Sequence, residues 1–392
     1  MRIALFTEVF LPKIDGITNR LRHTLDCLAE QGHEVLIFGP LHGQGSHAGF
    51  RCIQIPGTPF PPYPDLQVSY ADPRILGWLL RFRPDVVHAV GPASLGVLGI
   101  AAARALGIPV VASYHTDLPA YLDRHALDFP ALGLARPAIW PLIRAVHKRA
   151  HVNLCPSTVT RDELASQGIR PVGLWRGGVD TARFSPKAWS GSMRRRLAGG
   201  APEEQIRALV IYVGRVSPEK NLERLLDLHD AIPGIHVAVV GDGPDRERLE
   251  RKASGRRIHF AGFLRGAELA EAYASADVFL MPSTTETLGF VVLEAMSAGT
   301  PVVAAKAGGV LDLVEHGVNG LLFDPADDRN AAVQVRRLLE SPGQRAHFSR
   351  MARKFAEAGS WQQETRRLVG HYERAIELAR ETGPLAWLRR KR

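Results

Sequence analysis

Two glutamates, Glu286 and Glu294, are separated by seven residues in Glu286-Thr287-Leu288-Gly289-Phe290-Val291-Val292-Leu293-Glu294. The apolar run Asp277-Val278-Phe279-Leu280-Met281-Pro282 predicts a strand ahead of them. A helix is expected from near Gly289, stopped by Gly299-Thr300-Pro301. One glutamate then lies in the loop and the other about a turn and a half into the helix. The backbone N–H groups of Thr287, Leu288, Gly289 and Phe290 face whatever sits at the helix start. Such a terminus holds an anion, most often phosphate. A flanking carboxylate can accept hydrogen bonds from sugar hydroxyls. Anion cradle plus hydroxyl acceptor is the chemistry of a nucleotide-sugar. The plainer reading is an ordinary strand–loop–helix with a capping glutamate, because acidic residues favour first helical turns.

Other stretches put chemistry at strand ends. The strand at residues 208–213 runs into Gly214-Arg215-Val216-Ser217-Pro218-Glu219-Lys220-Asn221 before a helix. Arg215 and Lys220 there could neutralise a diphosphate without a metal, or be two surface cations. Residues 236–240 lead into the tight turn Gly241-Asp242-Gly243-Pro244, on which a base or ribose could pack. Gly262-Phe263 comes after the strand at residues 257–260. Earlier in the chain, Tyr114-His115-Thr116-Asp117 ends the strand at residues 108–114, at the carboxyl end where open parallel sheets bind ligands. A neutral His115 there could hydrogen-bond a sugar hydroxyl or be a structural loop residue, and Asp117 could simply cap the next segment. Gly16 allows close backbone approach at a helix start, or serves turn geometry. No zinc-type spacing, P-loop, nucleophile elbow or G-x-G-x-x-G is present, which argues against a dinucleotide and assigns no metal site.

The elements that would position these residues alternate. Residues 2–7 read as a strand, 18–31 as a helix and 33–39 as a second strand, and the strand–helix alternation recurs through both halves, the pattern of doubly wound α/β sheets. Residues 59–64, rich in proline, read as a surface loop. In residues 140–150, Trp140, Ile143, Val146 and Ala150 share a face while Arg144, His147 and Lys148 lie off it. This is a core helix with a solvated basic face or, alternatively, a membrane-surface helix. At 392 residues two cores are expected: residues 1–184, a linker over 185–205, a second domain over 206–360, and a C-terminal helix and basic tail over 361–392. No apolar run reaches the ~20 residues of a membrane span. Three scattered cysteines suit a reducing cytoplasm. A net charge of +9 suits an anionic substrate or membrane surface, and no nucleic-acid module appears. The tail, with Trp387 before Arg389-Arg390-Lys391-Arg392, reads as an interfacial anchor or a solubilising end.

Taken together, Gly214-Arg215 with Glu219-Lys220-Asn221, Gly241-Asp242-Gly243-Pro244, Gly177-Gly178-Val179-Asp180 and the Glu286–Glu294 pair resemble the retaining glycosyltransferases of family 4 over nearly the whole chain. The resemblance implies a GT-B fold, two Rossmann-like domains facing across a cleft, with the C-terminal helix crossing back to the first. It implies that Arg215 and Lys220 bind the donor diphosphate and that Gly16 closes over it. Glu286 and the backbone of residues 287–290 would hold the transferred sugar and phosphate. Glu294 would bind ribose, with Gly241, Asp242 and Phe263 beside the base, and His115 would contact the sugar near the reacting carbon. Tyr114, Asp117 and Arg176 would lie on the acceptor side. Within the family the chain is similar to sulfoquinovosyl diacylglycerol synthases and related lipid glycosyltransferases. The implied enzyme is a metal-independent hexosyltransferase moving sulfoquinovose, glucose or a uronic acid from a UDP-sugar to diacylglycerol or a related lipid, with no cofactor, at the cytoplasmic face of the membrane. A GDP-mannose-dependent mannosyltransferase and a non-catalytic nucleotide-sugar or membrane-binding protein are the alternatives.

Overall fold

The computed structural model describes the chain apart from residues 13–15, 42–43, 61–62, 116–118, 120–129 and 383–392. Asp117 and the tail from Trp387 to Arg392 therefore lie outside the described residues. The chain divides into two compact units, Met1–Gly177 with Trp361–Arg392, and Gly178–Ser360.

The first unit is built on one sheet. Its strands are β1 (Arg2–Thr7), β2 (Glu34–Pro40), β3 (Ser46–His47), β4 (Phe50–Ile55), β7 (Val86–Val90), β8 (Val110–Ser113), β9 (Val152–Cys155) and β10 (Val172–Leu174), in the order β10-β9-β8-β7-β1-β2-β4-β3. All pairs are parallel except β3 with β4. The central strands are continuous apolar runs because helices cover both faces of such a sheet. One face is sealed from far along the chain. In the helix Trp361–Thr382, Leu368, Tyr372 and Ala375 are fully buried with Leu5, Val111, Leu154 and Trp175. Each leucine-sized side chain buried there stabilises by about 1.5–3 kcal/mol.

The second unit repeats the scheme with β11 (Leu209–Val213), β12 (His236–Val240), β13 (Ile258–Gly262), β14 (Val278–Met281), β15 (Val302–Ala305) and β16 (Leu321–Phe323). Their order is β13-β12-β11-β14-β15-β16, every pair parallel. The chain reverses direction across this sheet between β11 and β14, and ligands of open sheets sit at such a switch, beyond the carboxyl ends of the strands.

Three sequence expectations are corrected. The proline-rich stretch at residues 59–64 enters a hairpin: β5 (Gly57–Phe60) pairs antiparallel with β6 (Tyr63–Ser69). A two-stranded ribbon has free edges, where a proline lacking N–H is tolerated. Residues 185–205, expected to link the domains, fold into the second unit. The helix Gly191–Leu197 buries Met193 and Leu197, while Arg194 donates to Asp277 at 2.8 Å. His147, expected on a solvated face, ends the helix Pro130–His147 fully buried. Its Nδ1 donates to Asn153 Oδ1 at 2.9 Å, which gives a buried imidazole the partner it needs.

Candidate functional site

In the second unit the two loops flanking the switch point meet. Pro218–Lys220 is a single 3-10 turn after β11, closed by Asn221 in the left-handed region at φ 54°. Its Lys220 Nζ donates to Glu286 Oε1 at 2.5 Å, and both side chains are largely buried. Arg215 is exposed, and among the described residues it makes no ion pair. Its carbonyl accepts from the buried Tyr212 hydroxyl at 2.9 Å, which ties the loop to the core.

The helix after β14 is Phe290–Ser297. Gly289, which has no side chain to offer, stands at its N-cap at φ 96°. The plainer reading, a glutamate capping this helix, therefore fails: the carboxylate of Glu286 is turned to Lys220 instead. Leu288 is buried, so only its backbone is available to a ligand. The loop is braced by two glycines that carry no signal in the sequence. Gly309 N donates to Glu286 O at 2.7 Å, and a Cβ on Gly309 would overlap the carbonyl of Thr287. Gly308 lies at φ 59° against Glu286 O, 2.6 Å from where its Cβ would be.

Glu294 sits on the same helix and accepts from the Tyr273 hydroxyl at 2.9 Å. Burial pushes its carboxyl from 4.5 up to about 7, opposed by that hydrogen bond and by Arg183. A carboxyl raised on folding favours the folded state while protonated, so its contribution weakens as pH climbs from about 4.5 to about 7. Tyr273→Phe removes a group that favours the carboxylate. The expected result is a Glu294 midpoint above 7, read by carboxyl-carbon NMR titration, and a stability loss of about 1 kcal/mol. An unmoved midpoint would refute the pairing.

Gly241 and Asp242 come directly after β12. Gly241, at φ 125°, packs against Gly214, and Val216 N donates to Asp242 O at 2.9 Å, so the two turns form one surface. The Asp242 carboxylate is already engaged by Gly243 N at 2.7 Å and Arg246 Nη1 at 3.2 Å. That makes the side chain a brace of its own turn, which leaves the backbone of Gly241-Asp242 for a ligand. Phe263 is 66% exposed with the Arg265 guanidinium 5.9 Å from its ring centre. An aromatic left that open beside a strand end can take a stacked planar group.

In the first unit Gly16 opens the helix Gly16–Glu30 and is exposed. His115 lies just past β8 and is buried, with its ring edge-on to Trp175 at 5.1 Å. Tyr114, expected to face an acceptor, is a core residue: its ring is 1% exposed, stacked on Trp140 and edge-on to His147. Arg176 is half-buried, and its carbonyl accepts from Arg20 Nη2 at 3.0 Å. Arg20 itself is not singled out by any motif. Its only signal is spacing, since Thr24 and Cys27, at helical intervals from it, are also buried.

The pattern of "Glycosyltransferase Family 4" matches residues 14–183, and that of "Glycosyl transferases group 1" matches residues 199–355. Over 402 aligned residues the chain is 38% identical to the sulfoquinovosyl transferase SQD2 of Arabidopsis thaliana, covering 99% of this chain and 77% of that one. The chain belongs to glycosyltransferase family 4. This family 4 enzyme is also 38% identical to a GDP-mannose-dependent alpha-mannosyltransferase of Mycolicibacterium smegmatis, over 96% of its own length and 98% of the other. It is 28% identical to an alpha-monoglucosyldiacylglycerol synthase of Streptococcus pneumoniae, over 88% and 80%. Its fold matches a sucrose-phosphate synthase from Thermosynechococcus elongatus at TM-score 0.75, with 20% identity and coverage of 96% and 99%. Anabaena HepE in complex with UDP matches at 0.73, with 20% identity and coverage of 95% and 99%. The α/β architecture of two parallel Rossmann-like sheets is thus the GT-B fold, and the non-catalytic alternative gives way to an enzyme. Among the described residues no group of three His, Cys, Asp or Glu side chains could hold a metal ion, and no helix is long and apolar enough to cross a membrane.

Proposed function

We propose that this glycosyltransferase retains anomeric configuration and moves a hexosyl group from a UDP-sugar to diacylglycerol or a related membrane lipid. The observation that carries the reading is the Lys220–Glu286 pair in the loops at the switch point, just ahead of the helix Phe290–Ser297, with Arg215 exposed on the loop that carries Lys220. Two cations and a helix N-terminus suit the two charges of a nucleoside diphosphate, and no metal is needed to balance them. As the glycosidic bond to that diphosphate breaks, negative charge grows on its oxygens. Arg215, Lys220 and the N–H groups of residues 287–290 stabilise it there. Lys220 engages one oxygen of the Glu286 carboxylate and leaves the second for a sugar hydroxyl. Glu294 accepts from the ribose, and Phe263 stacks on the base. Within the first unit, Gly16, His115 and Arg176 are the residues we assign to sugar and acceptor binding.

The lipid acceptor is supported by the name of the pneumococcal synthase, and the UDP donor by the HepE complex. A membrane acceptor places the work at a bilayer surface, at the inner face if the enzyme is cytoplasmic. A second reading has its own support: the mycobacterial mannosyltransferase matches at 38% identity over nearly its full length, so GDP-mannose is the rival donor. Calorimetry separates them. UDP is expected to bind at least tenfold more tightly than GDP, a difference of about 1.4 kcal/mol, and tighter GDP moves the enzyme to the mannosyl branch. Incubation of the preferred nucleotide's sugars with diacylglycerol vesicles, read by mass spectrometry, then names the sugar. No glycolipid from any of them would sink the lipid acceptor.

A further inference from the structure

A guanidinium carries five N–H donors and no acceptor. Arg20 Nη1 lies 2.5 Å from His115 Nδ1, so the proton between them belongs to arginine and the imidazole offers a lone pair. The geometry points to Arg20 as the positioning residue that holds His115 in its Nε2–H form, making the histidine a hydrogen-bond donor to a substrate oxygen and not the base that takes the acceptor's proton. The inference rests on the glycosyl-transfer reading above for what that oxygen is, and on the first unit alone for the tautomer.

Three observations support it. Arg20 is fixed from several sides: Nη2 donates to Arg176 O at 3.0 Å, and the guanidinium lies 5.1 Å from the centre of the Trp175 ring. Trp175 is also the wall against which His115 stands edge-on, so one buried indole sets both partners. His115 is 7% exposed, and its Nε2 is buried with no partner among the described residues. A buried N–H left unpaired is costly, and a ligand oxygen would satisfy it.

The charges around the ring agree. Burial brings Arg20 down to about 9, opposed chiefly by Glu364, so it remains a cation at neutral pH. A second proton on His115 would set imidazolium against guanidinium. Burial first, then Arg20 from its helix, His88 from β7 and His147 from the helix Pro130–His147 all hold His115 well below the usual imidazole range. Histidine therefore stays neutral through the transfer. The proton balance closes elsewhere: the bond from the anomeric carbon to the diphosphate breaks, the bond to the acceptor oxygen forms, and the acceptor's proton passes to an oxygen of the leaving diphosphate.

The test uses the full-length protein labelled with nitrogen-15 in histidine, with His115 assigned by the signal lost in His115→Gln. Long-range proton–nitrogen correlation is expected to show His115 protonated on Nε2 alone, unchanged from about pH 6 to 8. In Arg20→Met the other tautomer should appear and kcat should fall more than about tenfold, with UDP affinity held within about twofold. Arg20→Lys keeps a donor and should restore the Nε2–H form and most of the turnover. A native His115 protonated on Nδ1, or an Arg20→Met enzyme with native turnover, overturns the inference. If Arg20→Met does not fold, the native spectrum and Arg20→Lys still decide it. Failure of the native protein to bind UDP would count against the donor reading instead, while the tautomer stands or falls on its spectrum.

Discussion

Lys220→Ala is expected to lose about two to three orders of magnitude in turnover, the cost of removing one preorganised donor from a site where charge develops. Glu286→Gln should come close to it. The two side chains act as one device, because the 2.5 Å pair lies at the β11/β14 switch point and is largely shielded from water. Removing the lysine withdraws a cation from the diphosphate and leaves Glu286 an uncompensated carboxylate where the donor's own charge must sit. Neutralising the glutamate frees Lys220 but removes the acceptor that orients the sugar. The double variant should therefore cost much less than the sum of the two, the mark of groups that work together. Initial rates with the identified donor, beside thermal melts within a few degrees of native, make the comparison. Native turnover in both single variants would remove the pair from the mechanism.

Gly241→Ala is expected to be the most damaging single methyl in the second unit. The residue needs φ 125°, and its Cβ would run into the Gly214 carbonyl, backbone that cannot swing aside. Gly214 is itself pinned, its N–H donating to Val240 O at 3.0 Å. A left-handed alanine costs on the order of 1–2 kcal/mol. Separating the two turns raises the loss to roughly 3 kcal/mol or more, a fall in Tm of about 6–12 °C for a unit of this size. Nucleotide binding should fall with it, since the Arg215 and Asp242 turns form one surface. Gly32→Ala is the control: φ is 72° but nothing lies within 4 Å of its Cβ, so only the backbone strain remains. Equal melting points for the two variants would sink the argument from contact.

Parallel central strands are readable because both faces are covered and every position along them is apolar. The Lys220 and Glu286 loops are readable for a related reason: each comes after such a strand and precedes a helix. What the sequence hides depends on partners far away. Met193 and Leu197 sit in a basic segment whose burial needs Asp277 and Glu203 to neutralise Arg194. His147 looks solvated until Asn153 is seen beside it. Arg20 belongs to no motif, and its place follows only once β8, the Trp175 segment and the helix Trp361–Thr382 close around it. Tyr114 is placed by its neighbours in a motif, and a motif does not say which side of the backbone a ring will take.

The helix Trp361–Thr382 carries a consequence for synthesis. Residues 178–360 form a contiguous unit whose sheet can close as soon as that stretch has emerged. The earlier unit cannot finish, because Leu368, Tyr372 and Ala375 belong to its core. Until those last turns are made, the apolar face around Leu5, Val111, Leu154 and Trp175 stays wet, and the contacts that cover it have the longest loop to close. The half of the molecule that begins first is thus completed last, and exposed parallel strands waiting on a ribosome are the sort of surface that chaperones hold.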